Sequence, residues 1–200
     1  MSHFLLQDPK FFRLLLRIDQ ELAQHTHAAG CACGSVLHRG DYPRKPRGCL
    51  REVQSEFESR FSFCCSVCRK RTTSMSVRFL GRCVYLAMAV VLMSARHAGQ
   101  TSAGARASAL LDVPVRTLGR WRCWWREQFP VTALWRTECA RFMPAVVDSE
   151  MPGALLARFA GTPAESLVRM LVFLCPLTGS LITLRKGCCS PAEDARSQTP

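Results

Sequence analysis

The stretch Cys65-Ser66-Val67-Cys68 has the greatest influence on the fold that this sequence predicts. Two cysteines separated by two residues form a tight turn that lets both sulfur atoms face one metal ion. The other half of a tetrahedral site lies in Cys31-Ala32-Cys33-Gly34, where the spacing is one residue shorter than usual. We therefore expect a zinc ion to be bound by Cys31, Cys33, Cys65 and Cys68.

The short first turn leaves alternatives open for one ligand. His25, His27 and His38 lie near it in the sequence, and Cys49 is a further thiol. Cys64 could replace Cys65, although the alternation of a strand places these two neighbours on opposite faces.

The N-terminal residues argue against a disulfide-linked secreted protein. Charged residues interrupt the apolar residues there, so the pattern is not that of a signal peptide. We expect a cytoplasmic protein with reduced thiols, in which clustered cysteines indicate metal binding. The longest uncharged apolar stretch, residues 83–95, is shorter than the roughly 20 residues that a bilayer requires, so no membrane partner is expected.

Positive charge is concentrated in the middle of the chain. Of the 27 Lys and Arg residues, 17 lie between Arg39 and Arg126, whereas only 5 of the 15 Asp and Glu residues do. This block carries the whole formal net charge of +12. Concentrated positive charge attracts a polyanion because phosphate neutralisation releases condensed counterions, so double-stranded DNA is the expected partner.

Changes in composition and periodicity divide the chain into five parts. The predicted fold is mainly α with a small β zinc ribbon, followed by a helix-turn-helix within a helical bundle. The parts are an N-terminal amphipathic helix (1–24), a zinc-ribbon-like module with short strands (25–76), a helix-turn-helix module (77–130) whose first helix spans residues 77–97, C-terminal helices (131–187) and a disordered tail (188–200).

Residues 107–121 have the pattern of a helix-turn-helix. A short helix leads into a turn at Asp112-Val113-Pro114, and a longer helix follows in which proline suits the first turn. The residues expected to form its buried wedge are Leu111, Val113, Leu118 and Trp121 or Trp125.

Two kinds of DNA contact are expected. Arg116, Thr117 and Arg120 on the second helix would reach base edges in the major groove, and Arg122 would meet phosphate. The proline-stiffened loop at residues 42–48 and the cluster after the second cysteine turn would follow the phosphate backbone through Arg44, Lys45, Arg47, Arg69, Lys70 and Arg71.

Residues 63–79 resemble the zinc ribbon of some insertion-sequence transposases. In that family a cysteine turn is followed by a basic residue, a Thr/Ser-rich turn, an aromatic residue and a helix, as at Cys65–Phe79 here. Residues 111–125 are similar to the accompanying helix-turn-helix. The resemblance implies a DNA-binding protein linked to a mobile element. Catalysis in that family uses three carboxylates on a mixed α/β fold, whereas the residues after Gln128 read as helical, so we expect a non-catalytic accessory or regulatory factor.

Three alternatives stay open at this level. The chain could be a transposase or nuclease subunit whose carboxylates are not apparent in the sequence, or a zinc-ribbon module that binds another protein. Its apolar C-terminal residues could also form a homodimer face, although core packing is the simpler interpretation. These residues are Leu155, Leu156, Leu167, Leu171 and Leu174.

Overall fold

Helix α1 spans Pro9–Ala29 and begins at a well-defined cap. The Asp8 side chain accepts a hydrogen bond from the Lys10 N–H at 2.9 Å, and proline occupies the first turn. The computed structural model describes residues 2–80, 85–95 and 113–179 together with Ala109 and Leu111. Residues Ser2–Gln7 form a separate 3₁₀ helix, and α1 runs five residues beyond position 24. The α-helix predicted within residues 1–24 therefore begins later, at Pro9, and ends later, at Ala29.

In the described part of the chain, five short strands form two antiparallel sheets. The three-stranded sheet has the order β1-β4-β5, with β1 at Leu37–Arg39, β4 at Ser62–Cys65 and β5 at Arg71–Thr73. Strand β2 (Tyr42–Pro43) pairs with β3 (Ser59–Arg60), and the 3₁₀ turns Arg51–Val53 and Ser55–Phe57 lie between them. The expected short strands around residues 60–63 are confirmed.

Helix α2 (Ala87–Ser94) is buried along its whole length. The helix predicted for residues 77–97 is wrong in its described first part, because residues 77–80 and 85–86 are not helical and an isolated bridge joins Phe79 to Leu86. Here the chain is tied to α1 instead, because the Asp19 carboxylate accepts hydrogen bonds from the Val77 N–H and the Arg78 Nε–H, both at 2.7 Å. Residues 96–97 lie outside the described part.

Five further helices lie within residues 113–179. Helix α3 (Val115–Cys123) continues into a π-helical turn at Trp124–Gln128 and is followed by α4 (Ala133–Glu138) and α5 (Gly153–Leu156). Helices α6 (Pro163–Leu174) and α7 (Pro176–Gly179) follow, and 3₁₀ turns occur at Cys139–Arg141 and Asp148–Glu150. A reciprocal pair of hydrogen bonds between Thr162 and Glu165 caps α6. The predicted tail, 188–200, lies outside the described residues.

The buried apolar residues form two clusters. The larger one packs α2 against α3, α5 and α6 and contains Leu155, Leu167, Leu171 and Leu174, so these leucines are core residues rather than an exposed face. The smaller one holds Leu37, Phe61, Phe63 and Cys65 beneath the C-terminal half of α1. The architecture is mainly α with a small antiparallel β part.

A buried ion pair lies at the junction of the two clusters. Asp19 and Arg78 are both fully buried, and their side chains meet at 2.7 Å. Arg78 lies over the rings of Phe57 and Phe79 in the larger cluster and of Phe61 in the smaller one, at 4.9–5.2 Å. The periodicity of α1 predicts Asp19 on its polar side, and the structure overturns that expectation because Arg78 requires a buried anion.

Candidate metal centre and basic surface

Four cysteine sulfur atoms lie within 4.8 Å of one another. The Sγ atoms of Cys31 and Cys68 are 3.5 Å apart, and so are those of Cys33 and Cys65. Sulfur atoms bound tetrahedrally to one zinc ion at 2.3 Å would be about 3.8 Å apart. The four predicted ligands therefore lie together and could hold a metal ion, with spacing that zinc fits.

Strand pairing brings the two cysteine turns to the same end of the sheet. Leu37 on β1 pairs with Cys65 on β4, so the residues just before β1 meet the residues just after β4. The Ser66 N–H donates to the Val36 carbonyl at 3.1 Å, and the hydroxyls of Ser35 and Ser66 are 2.7 Å apart. The short first turn is closed by the Gly34 N–H, which donates to the Cys31 carbonyl at 2.8 Å.

Backbone donors make the cluster suitable for thiolates. The N–H groups of Val67 and Cys68 point at Cys65 Sγ from 3.4 and 3.3 Å. Burial raises the pKa of Cys65, but the N–H groups of Cys68 and Val67 and the neighbouring thiols outweigh it and lower the pKa to about 6. The N–H of Cys33 lowers the pKa of Cys31, but contacts with the thiols of Cys33 and Cys68 outweigh it and raise the pKa to about 12. A bound divalent cation would offset two of the four negative charges of adjacent thiolates and so favour their deprotonated form.

The alternative ligands lie outside the cluster. Cys64 is on the other face of β4 from Cys65, as the alternation predicts, and its Sγ contacts the Arg69 carbonyl at 3.5 Å. His25, His27, His38 and Cys49 do not belong to the group either. Among the described residues, these four cysteines are the group with metal-ligand geometry.

The basic cluster after the second turn is exposed at all three positions, Arg69, Lys70 and Arg71. Arg69 has a φ of 58°, in the left-handed region that favours glycine. This conformation lets the chain leave the cysteine turn and enter β5, and the Cys65 N–H donates to the Lys70 carbonyl at 3.0 Å. An arginine is therefore held at a position where it carries backbone strain.

Two arginines from separate basic stretches meet at Tyr42. The guanidinium of Arg44 lies 5.3 Å from the ring centroid, and that of Arg71 lies 5.7 Å from it. Arg71 also donates to the Gly40 carbonyl at 2.9 Å, which fixes it beside the strand edge. We call the group formed by Tyr42, Arg44 and Arg71 the Tyr42 cluster. The sequence analysis assigned no role to Tyr42. Its position at the start of the proline-stiffened basic loop is the signal that could have indicated one.

The loop that carries Arg47 lies close to helix α3. Arg47 forms an isolated bridge with Tyr85, and the Tyr85 ring is 4.9 Å from the ring of Trp121. Lys45 and Arg47 are exposed. One aromatic side chain therefore lies between the basic loop and the helix that contains Arg116 and Arg120.

Helix α3 carries three of its four predicted contact residues at or near the surface. Arg116 and Arg120 are exposed, and Arg122 is half-buried. Thr117 is only 4 % exposed, and its hydroxyl lies 3.1 Å from Arg120 Nη2. Thr117 is therefore removed from the base-contacting set, because it shares the buried side of the helix with Trp121.

The predicted wedge is largely buried. Leu111, Val113, Trp121 and Trp125 are buried, and Leu118 is half-buried. Helix α3 begins at Val115, directly after the predicted turn, and Pro114 is its cap rather than a residue of its first turn. The rest of the first helix of this motif, including Ala107, Ser108, Leu110 and Asp112, lies outside the described residues.

No protein-family model matches the chain, and no curated protein or solved structure matches it. Within the described part, none of the helices combines the length and the apolar character needed to cross a bilayer.

Proposed function

We propose that this protein binds double-stranded DNA through a basic surface supported by a zinc-bound cysteine cluster. The observation that carries the proposal is the Tyr42 cluster, where Arg44 and Arg71 approach one ring from segments 27 positions apart in the sequence. Two guanidinium groups held near one aromatic ring beside the strands suit contacts with neighbouring phosphate groups.

Zinc is the proposed ion because four thiolates in a compact tetrahedral arrangement are its usual structural ligands. Its role here would be structural. The ion would tie the residues before β1 to the turn after β4, and thereby hold Arg71 on β5 beside Tyr42. Metal binding and DNA binding would then be coupled through the sheet.

Helix α3 is the proposed reading helix. Arg116 and Arg120 are four residues apart and exposed, so they share one face and could reach base edges in a major groove. Lys45, Arg47, Arg69 and Lys70, with the Tyr42 cluster, would contact phosphate. Arg122 is half-buried and would meet phosphate at the margin of this surface.

We also propose that the protein serves a mobile element as an accessory or regulatory factor. This part rests on the sequence resemblance of residues 63–79 and 111–125 to transposase modules. The accompanying non-catalytic role rests on the helical character of the residues after Gln128.

The test is a selection of bound duplexes followed by titrations with variants. We expect Arg116→Ala with Arg120→Ala to relax sequence preference, at about 1–3 kcal/mol for each lost base contact. Arg44→Ala with Arg71→Ala should weaken binding to all duplexes alike. It should also reduce the salt slope, the dependence of log affinity on log salt concentration, by about 2, or about 1 for each phosphate contact.

The matched control is Arg136→Ala, which removes an exposed arginine of α4 outside the basic block. It should leave affinity and salt slope close to wild type. Wild-type affinity that does not change with salt concentration, or equal losses in all three variants, would refute the proposal.

A further inference from the structure

A pocket of about 390 Å³ lies between helix α1 and the three-stranded sheet. Its size is within the range of small-molecule sites. Phe61 and Phe63 line it from the sheet, and Gln20, Gln24 and His27 line it from the helix. Neither the cysteine cluster nor the Tyr42 cluster forms part of it.

The planar groups at this pocket are held in place by specific contacts. The His27 ring lies 5.4 Å from the ring of Phe63, and the Arg39 guanidinium lies 5.5 Å from the centroid of Phe61. Asp41 fixes Arg39 by accepting its Nε–H at 2.7 Å, and its other oxygen accepts the Ser62 N–H at 3.0 Å. Arg39 and His27 are themselves exposed. An imidazole and a guanidinium plane are therefore available at the mouth of an aromatic-floored pocket.

Amide groups add hydrogen-bonding capacity along one wall. Gln20 and Gln24 are four residues apart on α1, share one face, and are exposed. A carboxamide carries both donors and an acceptor, the combination that reads the edge of a nucleobase. Aromatic and guanidinium planes are the surfaces on which proteins stack unpaired bases.

The pocket is joined to the proposed phosphate-binding surface by a short segment. Arg39 and Asp41 line the pocket, and Tyr42 directly follows Asp41. The Gly40 carbonyl between them accepts a hydrogen bond from Arg71 at 2.9 Å. A DNA strand whose phosphates contact the Tyr42 cluster would therefore lie close to the segment, residues 39–41, that borders the pocket.

We infer that this pocket holds an unpaired nucleobase, so that the preferred substrate is duplex DNA with a single-stranded end. The inference rests on the proposed function, since Arg44 and Arg71 would supply the phosphate contacts beside it. The pocket would add a preference for single-stranded ends, which the helix-turn-helix alone would not produce because a major-groove helix reads paired bases.

The test uses the full zinc-loaded chain and three probes that share one duplex sequence. The first duplex is blunt, the second has a four-nucleotide single-stranded overhang, and the third has an overhang of four abasic sugar-phosphates. The second and third probes carry equal charge, so their difference isolates the bases. We expect the base-bearing overhang to bind about fivefold tighter, or more, than the abasic one.

The variant Gln20→Ala with Gln24→Ala should reduce the ratio of the affinities for the base-bearing and the abasic overhang to near one. Its affinity for the blunt duplex should be unchanged. The control pair Gln7→Ala with Gln128→Ala removes two exposed glutamines away from the pocket and should retain the preference. Wild-type protein that binds both overhangs equally, or a preference that survives the Gln20/Gln24 change, would overturn the inference. Failure to bind even the blunt duplex would instead refute the proposed function.

Discussion

The metal-ligand region and the helical region are stabilised by different means. Strands β1 and β4, which flank the cysteine turns, pack on few apolar side chains, namely Leu37, Phe61, Phe63 and Cys65 with Ala23 of α1. Residues 85–95 and 113–177 share a much larger core with an almost continuous series of aromatic contacts from Tyr85 to Phe173. A core as small as the first one requires a cross-link such as a bound metal, and the second does not.

The comparison shows why the two regions depend on each other unequally. Helix α1 contributes Phe11, Phe12 and Leu15 to the larger core and Ala23 to the smaller one. Asp19 lies between these two parts of the helix and holds Arg78 at the junction. Loss of the metal should therefore affect one region, whereas loss of the ion pair should affect both.

The largest expected effect is that of removing the metal. Cys68→Ser or a strong chelator should abolish zinc binding, which is worth about 10–16 kcal/mol in small structural sites, and should unfold the strands. Amide hydrogen exchange should then accelerate in β1 and β4 while α6 stays protected.

The matched control is Cys64→Ser, which changes a neighbouring thiol on the opposite face of the same strand. Zinc content measured by mass spectrometry should remain at one ion per chain in this variant. A Cys68→Ser protein with full zinc content and unchanged exchange would show that the cluster is not a metal centre.

The next largest effect is expected from removing the buried ion pair between Asp19 and Arg78. Asp19→Ala should destabilise the chain by about 3–5 kcal/mol, because it leaves Arg78 buried without its anion. Urea unfolding of the zinc-loaded protein measures this change. Asp19→Leu with Arg78→Met, which removes both charges, should cost less than Asp19→Ala alone. If the double change costs more, the hydrogen bonds that Asp19 accepts from Ser76 and Val77 contribute more than the charge pairing.

A change confined to the larger core should leave the metal-ligand region intact. Leu167→Ala on α6 should cost about 2–5 kcal/mol, since Leu167 is fully buried and its removal leaves a cavity. Val172→Ala on the same helix changes a side chain that is 49 % exposed and should have little effect. Zinc retention equal to wild type in both variants is expected, and loss of zinc from Leu167→Ala would mean that the two regions fold as one unit.

The smallest effect concerns the strained arginine beside the cysteine turn. Arg69→Gly and Arg69→Ala remove the same charge, but only glycine relieves the positive φ. The glycine variant should be more stable than the alanine variant by about 1 kcal/mol in thermal unfolding. Both should weaken duplex binding to the same extent, and a difference in affinity would mean that Arg69 acts through backbone geometry rather than charge.

Several features could be predicted from neighbouring residues alone. The spacing of the cysteines indicates Cys31, Cys33, Cys65 and Cys68 as candidate ligands, with one position left open, and the opposite orientation of Cys64 follows from strand alternation. The strands around residues 60–63 and the burial of Trp121 and Trp125 follow from local patterns of apolar residues. Each cysteine turn, each strand and each buried tryptophan depends on residues that are close in the sequence, so local patterns were sufficient to predict them.

Other features depended on partners far away in the chain. Asp19 reads as a surface residue of an amphipathic helix, but it is buried because it pairs with Arg78, 59 positions later. Thr117 reads as a groove-facing side chain, yet packing turns it inward. The meeting of Arg44 and Arg71 at Tyr42 has no local signal. A sequence pattern reports which side of a helix or strand is apolar, whereas the burial of a charge or a hydroxyl depends on which distant group packs against it, and only the tertiary structure determines that.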